Sequence, residues 1–345
     1  MAEPTEPLMM LDHLTRVFNT KRGEITAVDD VSLALHPGDI LCLVGESGSG
    51  KTTVARMAAG LLKPSAGVVT YEGKDLQQMN KEEFKHYRKA VQIVHQDPYA
   101  SLNPVHTIGD TLAAPLLHHK LVKGRREATK RVGELLELVD LRPVENFISK
   151  YPHQLSGGQR QRVSVARAMA LNPRVIIADE AVSMVDVSIR VSLLNTMLKL
   201  RNELGVTFLF ITHDLAVVKY FGWEGSVGVM YVGKLIEYGP TPKVIGRPLQ
   251  PYTRALAAAI PEADPDLTRS KEKLQLRSLD IPSLTNLPGG CVFHPRCPYF
   301  EEGLCDITMP PLVEVAPARR VACHVVEREL TGAMTGAPDS RQAAD

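Results

Sequence analysis

The sequence lacks an excess of charge of either sign. Its 345 residues include 40 Lys and Arg against 39 Asp and Glu, which leaves a formal charge of +1. A protein that binds nucleic acid or an anionic lipid surface through its overall charge needs a marked basic excess. Composition gives no support for such partners, and we expect no nucleic-acid partner.

Long apolar runs and internal repeats are also lacking. No stretch approaches the ~18 consecutive apolar residues of a membrane-spanning helix. Residues 1–11 contain Glu and Pro where a signal peptide has basic and then apolar residues. We therefore expect a cytosolic protein. With 44% hydrophobic residues, the chain has enough apolar material and length for about two globular domains.

Cysteine is scarce, with five residues in the chain. One is Cys42, which we expect in the core, and the other four lie in a Pro-rich stretch near the end: Cys291, Cys297, Cys305 and Cys323. That stretch is too small for a large core of its own, and a shared metal would tie it together. Free thiols are an alternative, as is replacement of one ligand by His294 or His324.

The main motif is a glycine-rich loop that fits the pattern Gly, four free positions, then Gly-Lys-Thr: Gly45, Glu46, Ser47, Gly48, Ser49, Gly50, Lys51 and Thr52. Glycines let such a loop turn tightly, so that backbone N–H groups point at an anion, and the following helix adds its positive end. Lys51 is placed to neutralise nucleotide phosphates, the Thr52 hydroxyl to bind Mg²⁺, and Thr53 to extend the polar edge. The alternative is an ordinary strand-to-helix turn. The apolar strand 40–44 before the loop and the helix 53–62 after it favour a phosphate site.

Acidic and imidazole side chains follow two further apolar strands. Residues 175–178 run into Asp179 and Glu180, and residues 206–211 run into His213. Ligands bind at the carboxyl ends of parallel strands, which places Asp179 to hold Mg²⁺ and Glu180 to orient an attacking water. His213 lies on the same edge, although a lone His is more often structural.

Two other features complete the local pattern. Residues 108–170 show almost no strand signal and predict an inserted helical subdomain at about 98–170. The last helix of this subdomain is predicted to start at Ser156, Gly157, Gly158 and Gln159. The N-terminus of a helix can bind an anion, although Gly-Gly at such a position is common. Phe18 precedes the first clear strand and is predicted either to stack on an adenine base or to be an ordinary core residue.

In their order and spacing, these motifs resemble the ATP-binding subunits of ABC transporters over roughly residues 8–325. The resemblance rests on the phosphate loop, Gln96, the signature at 154–162, Asp179-Glu180 and His213. It implies an α/β fold, namely a P-loop ABC ATPase core (a parallel sheet with an antiparallel β edge) plus the inserted helical subdomain and a small Cys-rich C-terminal extension. It also implies ATP as ligand, Mg²⁺ held by Thr52, Gln96 and Asp179, and catalysis by Glu180, His213 and Gln96.

The family works as a head-to-tail pair of ATPase domains. The signature residues of one chain would contact the γ-phosphate held by the partner's phosphate loop. Asp186 lies in the loop that communicates with the other site. Ala181 stands where the family mostly has Pro, and Ser183-Met184-Val185-Asp186 replaces its usual Ser-Ala-Leu-Asp, which predicts an altered rate or coupling rather than a dead site.

Residues 96–104 and 251–256, with the C-terminal cysteines, resemble the oligopeptide, dipeptide and nickel branch of importers. This implies a second homologous ATPase subunit, two membrane-spanning permease subunits and an extracytoplasmic solute-binding protein, with this chain on the cytoplasmic face of the membrane. Peptides are the expected solute; oligosaccharides or nickel complexes are alternatives. A more remote alternative function is that of a soluble ABC ATPase acting on the ribosome or on DNA. A purely regulatory module is disfavoured because Glu180 and His213 are retained.

The C-terminal stretch of this branch resembles segments that hold a [4Fe–4S] cluster. We therefore predict such a cluster, rather than the alternative Zn²⁺, at Cys291, Cys297, Cys305 and Cys323. The predicted division of the chain is an ATPase domain at 8–260, a linker and Cys-rich domain at 261–330, and a disordered tail at 331–345.

Overall fold

The structure is a computed structural model that describes residues 6–21, 23–260 and 274–334, with side chains described as far as residue 330. Its contacts divide the chain into two compact units. The first contains Met1–Arg16, Asp30–Leu43 and Lys51–His213, and the second contains Val17–Asp29, Val44–Gly50 and Asp214–Asp345. No helix of the described part is long and apolar enough to cross a membrane.

The strands are β1 (Met9–Thr20), β2 (Gly23–Leu35), β3 (Ile40–Val44), β4 (Ala66–Tyr71), β5 (Lys74–Asp75), β6 (Val91–Val94), β7 (Val175–Asp179), β8 (Thr207–Thr212), β9 (Ser226–Tyr231), β10 (Lys234–Pro240), β11 (Val313–Ala316) and β12 (Arg319–Val321). The helices are α1 (Lys51–Ala58), α2 (Lys81–Ala90), α3 (Pro98–Ser101), α4 (Ile108–His118), α5 (Arg125–Leu138), α6 (Glu145–Ile148), α7 (Gly157–Met169), α8 (Val187–Leu204), α9 (Leu215–Phe221), α10 (Thr241–Gly246), α11 (Pro251–Ala258) and α12 (His324–Met334).

A sheet with the strand order β3-β8-β7-β6 forms the centre of the first unit. Strands β6, β7 and β8 are parallel, with Val91 opposite Val175 and Asp179 opposite Ile211. Every residue of β7 and β8 is buried, as expected for parallel strands covered on both faces. The carboxyl ends of β7 and β8 therefore lie side by side, and the residues that follow them meet at one edge of the sheet.

The predicted antiparallel edge is present as a second sheet with the order β2-β1-β4-β5. Met9 of β1 lies opposite Tyr71 of β4, and Thr70 lies opposite Asp75 of β5. Helix α2 begins at Lys81, after the short strand β5 and the turn that follows it. Asn80 caps this helix, because its side chain accepts hydrogen bonds from the N–H groups of Glu82 and Glu83.

The inserted helical subdomain is also confirmed, with α3 to α7 between β6 and β7. Its core comes from apolar residues at helical spacing, which are Leu112 and Leu116 of α4 and Val132, Leu135 and Leu136 of α5, all fully or almost fully buried. Helices α4 and α5 both pack against α7. The subdomain thus supports α7, which begins at the predicted signature residues.

In the second unit, the C-terminal residues add strands to a hairpin. Strands β9 and β10 form the hairpin, β12 pairs with β10, and β11 pairs with β12. A small apolar cluster lies at this end, formed by Val315, Val321 and Val326 with Cys323 and Leu330 packed around it. Helix α12 continues to Met334, inside the predicted disordered tail, whereas residues 335–345 lie outside the described residues.

Candidate nucleotide-hydrolysis site

Three predicted catalytic residues meet at the sheet edge of the first unit. Glu180 directly follows β7, and its carboxylate accepts a hydrogen bond of 3.0 Å from the Gln96 side-chain amide. The other carboxylate oxygen lies 3.4 Å from Nδ1 of His213, which follows β8. The Glu180 side chain is 18% exposed and that of His213 is 55% exposed. The sheet thus presents a carboxylate that is held by two neighbours and still reachable by solvent.

The backbone at Glu180 explains why this side chain turns out of the sheet. Its φ is +49°, in the left-handed region that non-glycine residues seldom adopt. Its N–H donates to the Ile211 carbonyl, and its own carbonyl accepts from the N–H and hydroxyl of Ser183. Unusual backbone conformations of this kind are held in place by surrounding structure and cluster at functional sites.

The side chains of Thr52 and Asp179 meet next to Glu180. The Thr52 hydroxyl donates to Oδ1 of Asp179 at 3.1 Å. Asp179 is 7% exposed, and burial raises its carboxyl pKa. Hydroxyl and carboxylate oxygens are the donors that Mg²⁺ prefers, and a bound cation would offset the cost of the buried charge. These residues fit the Mg²⁺ that the sequence predicts at Thr52 and Asp179, whereas the amide of the third predicted ligand, Gln96, donates to Glu180.

The phosphate loop in the second unit runs from Gly45 to Gly50 and continues along the chain into α1. The Ser49 N–H donates to the Glu46 carbonyl, and the Ser49 carbonyl accepts from Gly233. Gly50 has φ +99°, and a Cβ there would stand 2.3 Å from the carbonyl oxygen of Ala27. Only glycine fits this position without moving backbone.

We expect Gly50→Ala to lower ATP affinity more than about 100-fold, because both the positive φ and the backbone clash distort the loop. Gly38→Ala is the matched control. Gly38 has φ +79° with no atom within 4 Å of an added Cβ, so its replacement costs conformational strain alone. Titration of both variants with a fluorescent ATP analogue measures the difference. Equal affinities in the two variants would contradict the expectation.

Two residues of the C-terminal half contact the loop, and the sequence analysis did not find them. The Glu46 N–H donates to the Tyr252 hydroxyl at 2.8 Å, and the Glu46 carboxylate accepts two hydrogen bonds from Arg296, at 2.8 and 3.2 Å. Burial by itself lowers the pKa of Arg296, but the hydrogen bonds to Glu46 and Tyr231 outweigh burial. The net effect raises the pKa of Arg296 above its usual value. Tyr252 lies in the segment 251–256 that resembles the importer branch. That resemblance was the only feature of the sequence that could have pointed to Tyr252.

The remaining predicted nucleotide contacts are placed as follows. Lys51 is almost fully buried, while Thr52 at the start of α1 is exposed and Thr53 is half-buried. Phe18 is a half-buried residue of β1 in the second unit, and its stacking on adenine stays a prediction.

The signature begins at an exposed helix start in the first unit. Ser156 caps α7, because its hydroxyl accepts from the Gln159 N–H and the Gln159 side chain accepts from the Ser156 N–H. The first-turn N–H groups at Gly157 and Gly158 have no acceptor within an α-helix. A Cβ at Gly158 would stand 2.3 Å from Cγ2 of Ile189 on α8, so the glycine permits close packing of α7 and α8. The arrangement leaves Ser156 and the helix end open to an anion.

The segment around Asp186 exposes apolar side chains. Asp186 is exposed at the start of α8. Its neighbours Met184 and Val187 are 60% and 72% exposed.

The prediction of a metal at the C-terminal cysteines is wrong. Within the described residues, no group of three or more His, Cys, Asp or Glu side chains is placed to hold a metal ion. This overturns both the [4Fe–4S] cluster and the alternative Zn²⁺ at Cys291, Cys297, Cys305 and Cys323. All four are free cysteines.

The surroundings of these thiols give a physical reason. Burial raises the pKa of Cys291 to about 11 and that of Cys297 to about 12, which favours the neutral thiol over the thiolate that binds metals. Cys323 packs against the apolar cluster of β11, β12 and α12. The candidate replacement ligands are engaged elsewhere, since ring nitrogens of His294 and His324 lie 3.0 and 2.8 Å from backbone carbonyl oxygens.

Comparisons with known proteins identify the family of this chain. Residues 28–183 match the family described as ABC transporter, and residues 236–305 match the family described as oligopeptide/dipeptide transporter, C-terminal region. Among solved structures, the dimeric post-hydrolysis state of the ATP-binding cassette MJ0796 bound to ADP and Pi is similar. It has a TM-score of 0.61 and 29% identity, and it covers 68% of this chain and 98% of that one.

Two relatives are similar over most of their length. The probable peptide ABC transporter ATP-binding protein y4tS of Sinorhizobium fredii is 43% identical, over 89% of this chain and 85% of that protein. The oligopeptide transport ATP-binding protein AppF of Bacillus subtilis is 43% identical, over 90% of this chain and 92% of that protein. With the fold and the site described above, these similarities show that the chain belongs to the ATP-binding, ATP-hydrolysing subunits of ABC transporters.

Proposed function

We propose that this chain hydrolyses ATP to energise the import of peptides through partner membrane subunits. The observation that carries the proposal is the position of Glu180 between Gln96 and His213, next to Asp179 and Thr52. A carboxylate that is held on both sides and reachable by solvent can orient a water molecule and accept its proton. The similarity of the chain to peptide and oligopeptide transport ATP-binding proteins supports the peptide substrate.

Each residue then has one task in hydrolysis. The loop N–H groups and Lys51 bind the phosphates of ATP, and Glu180 accepts the proton of the attacking water. Gln96 holds the Glu180 carboxylate by its hydrogen bond, and His213 lies beside the developing charge. Thr52 and Asp179 would hold Mg²⁺, which neutralises phosphate charge when bound.

The active form is proposed to be a head-to-tail pair of ATPase subunits. Two features of the first unit support it, namely the open start of α7 at Ser156 and the exposed apolar side chains beside Asp186. Ser156, Gly157 and Gly158 would complete the partner's phosphate site, and the Asp186 segment would contact the partner. The partner is proposed to be a second, homologous ATPase chain.

The proposed assembly contains two permease subunits, and one of them is proposed to bind a groove in the first unit of this chain. It has a volume of about 580 Å³ and is lined by residues of α2, β6 and the ends of α4 and α7, including Phe84, Arg88 and His119. A groove with apolar and basic side chains suits an amphipathic helix from another subunit. This would place the chain on the cytoplasmic face of the membrane, with an extracytoplasmic solute-binding protein delivering the peptide.

Reconstitution tests the proposed function. The chain would be purified with its associated subunits and placed in proteoliposomes with the solute-binding protein and ATP. We expect peptide to stimulate ATP hydrolysis and to accumulate in the lumen. Stimulation by an oligosaccharide or a nickel complex, and not by peptides, would reject the peptide substrate but keep the transport function. Absence of any membrane subunit that co-purifies with the chain, together with ATP hydrolysis that no solute stimulates, would reject transport.

A further inference from the structure

A bidentate ion pair in the second unit joins the phosphate loop to the C-terminal region. Both terminal nitrogens of Arg296 donate to the carboxylate of Glu46, at 2.8 and 3.2 Å. The Arg296 side chain is 6% exposed and that of Glu46 is 27% exposed, so the pair is largely shielded from water. Ion pairs of this geometry fix orientation as well as charge.

The guanidinium is itself held by an aromatic cluster that we define as Tyr231, Tyr252 and Phe293. The ring centroids of this cluster are 4.6 to 5.5 Å apart, and Arg296 also donates to the Tyr231 hydroxyl at 3.3 Å. The same cluster supplies the Tyr252 hydroxyl that accepts from the Glu46 N–H. The side chain and the backbone of Glu46 are therefore both held from β9, α11 and the segment around residue 296.

A second part of the C-terminal region also borders the loop. A cavity of about 320 Å³ is lined on one side by residues 46–49 and on the other by residues 281–285. Ile25 and Val232 complete its walls. The C-terminal region therefore approaches the phosphate loop at two places rather than through one side chain.

The charge of Glu46 has a direct consequence for ATP. A carboxylate in a loop that binds a polyanionic phosphate chain repels that ligand unless a cation neutralises it, and the effect is large where water is partly excluded. Arg296 supplies the neutralising charge and keeps the carboxylate turned toward the aromatic cluster.

We propose that Arg296 is a positioning residue for ATP binding, which acts through Glu46 by neutralising and orienting its carboxylate. The C-terminal region thereby takes part in setting the affinity of the phosphate loop. This inference rests on the proposed ATP binding at that loop and adds a residue that lies outside the loop and the strand ends.

The test is a double-mutant cycle on the full chain, read by the Kd for a fluorescent ATP analogue and by KM and kcat for ATP. We expect Arg296→Met to raise Kd and KM about tenfold with kcat changed less than about threefold, because the Glu46 carboxylate then loses its bidentate cation and repels the phosphates more strongly. Arg296→Lys, which keeps the charge but loses the bidentate geometry, should fall between wild type and Arg296→Met. Glu46→Gln should restore the Kd of Arg296→Met to within about threefold of wild type, because no charge remains to be neutralised.

Controls separate this role from a structural one. Arg328→Met removes an exposed ion pair with Glu301 in the same region and should leave Kd unchanged. The effect of Arg296→Met should be larger at low ionic strength, since salt screens repulsion. Failure of Glu46→Gln to restore affinity, or an unchanged Kd in both Arg296→Met and Arg296→Lys, would overturn the inference. A wild-type chain that does not bind ATP would instead defeat the proposed function.

Discussion

Glu180→Gln should abolish turnover while ATP binding remains. The amide keeps the shape of the side chain and can still contact Gln96, but it cannot accept the proton of the attacking water. We expect kcat to fall by about 10²- to 10³-fold, with the Kd for ATP within about threefold of wild type. Because hydrolysis reopens the pair, a closed pair with trapped ATP should accumulate and be visible by size-exclusion chromatography.

The matched control for this change is Glu137→Gln. Glu137 lies on α5 and is exposed, so the same loss of one negative charge occurs away from the strand ends. We expect its kcat to equal that of wild type. If Glu180→Gln kept turnover within about threefold of wild type, Glu180 would not be the residue that activates water.

Substitutions in the signature and in the phosphate loop should damage different nucleotide sites. Ser156→Arg places a large cation at the exposed start of α7, where the partner's γ-phosphate is proposed to bind. We expect this chain to keep its own ATP affinity through Lys51, while hydrolysis at the partner's loop falls at least 100-fold. Lys51→Ala should do the reverse, because the chain loses the cation that binds the phosphates of its own ATP.

If the pair consists of two copies of this chain, mixing the two inactive variants provides a further measurement. A mixed pair has one site with both defects and one site with neither, so partial ATPase activity should return on mixing. Ser156→Thr keeps a capping hydroxyl and should retain most activity, whereas Ser156→Ala measures loss of the cap alone, at about 1 kcal/mol. If Ser156→Arg abolished ATP binding by its own chain, the head-to-tail arrangement would be rejected.

Local motifs were the part of this protein that the sequence predicted well. The phosphate loop, the strand before it and the two acids at the end of β7 each lie within about ten contiguous residues, where hydrophobic pattern and glycine spacing determine local structure. The inserted helical subdomain was predictable for the same reason, since its buried residues repeat at helical spacing.

Prediction failed where distant segments had to be placed in space. The four cysteines are close in sequence, and their spacing suggested a shared metal, yet spacing alone does not bring side chains together. The structure packs Cys323 against an apolar cluster, buries Cys297 and leaves Cys291 half-buried, and in both of the latter desolvation favours the neutral thiol. The pairing of β12 with β10 organises this region. The local composition of the sequence does not indicate that pairing.

The sequence by itself determined the apolar strands, and with them that a parallel sheet would bring Asp179, Glu180 and His213 to one edge. Only the tertiary structure decided what each of them contacts. Gln96 meets Glu180 across 84 residues of sequence, and Arg296 meets Glu46 across 250 residues. Contacts at such separations depend on the packing of whole elements, whereas the motifs depend on backbone preferences and apolar periodicity that neighbouring residues supply.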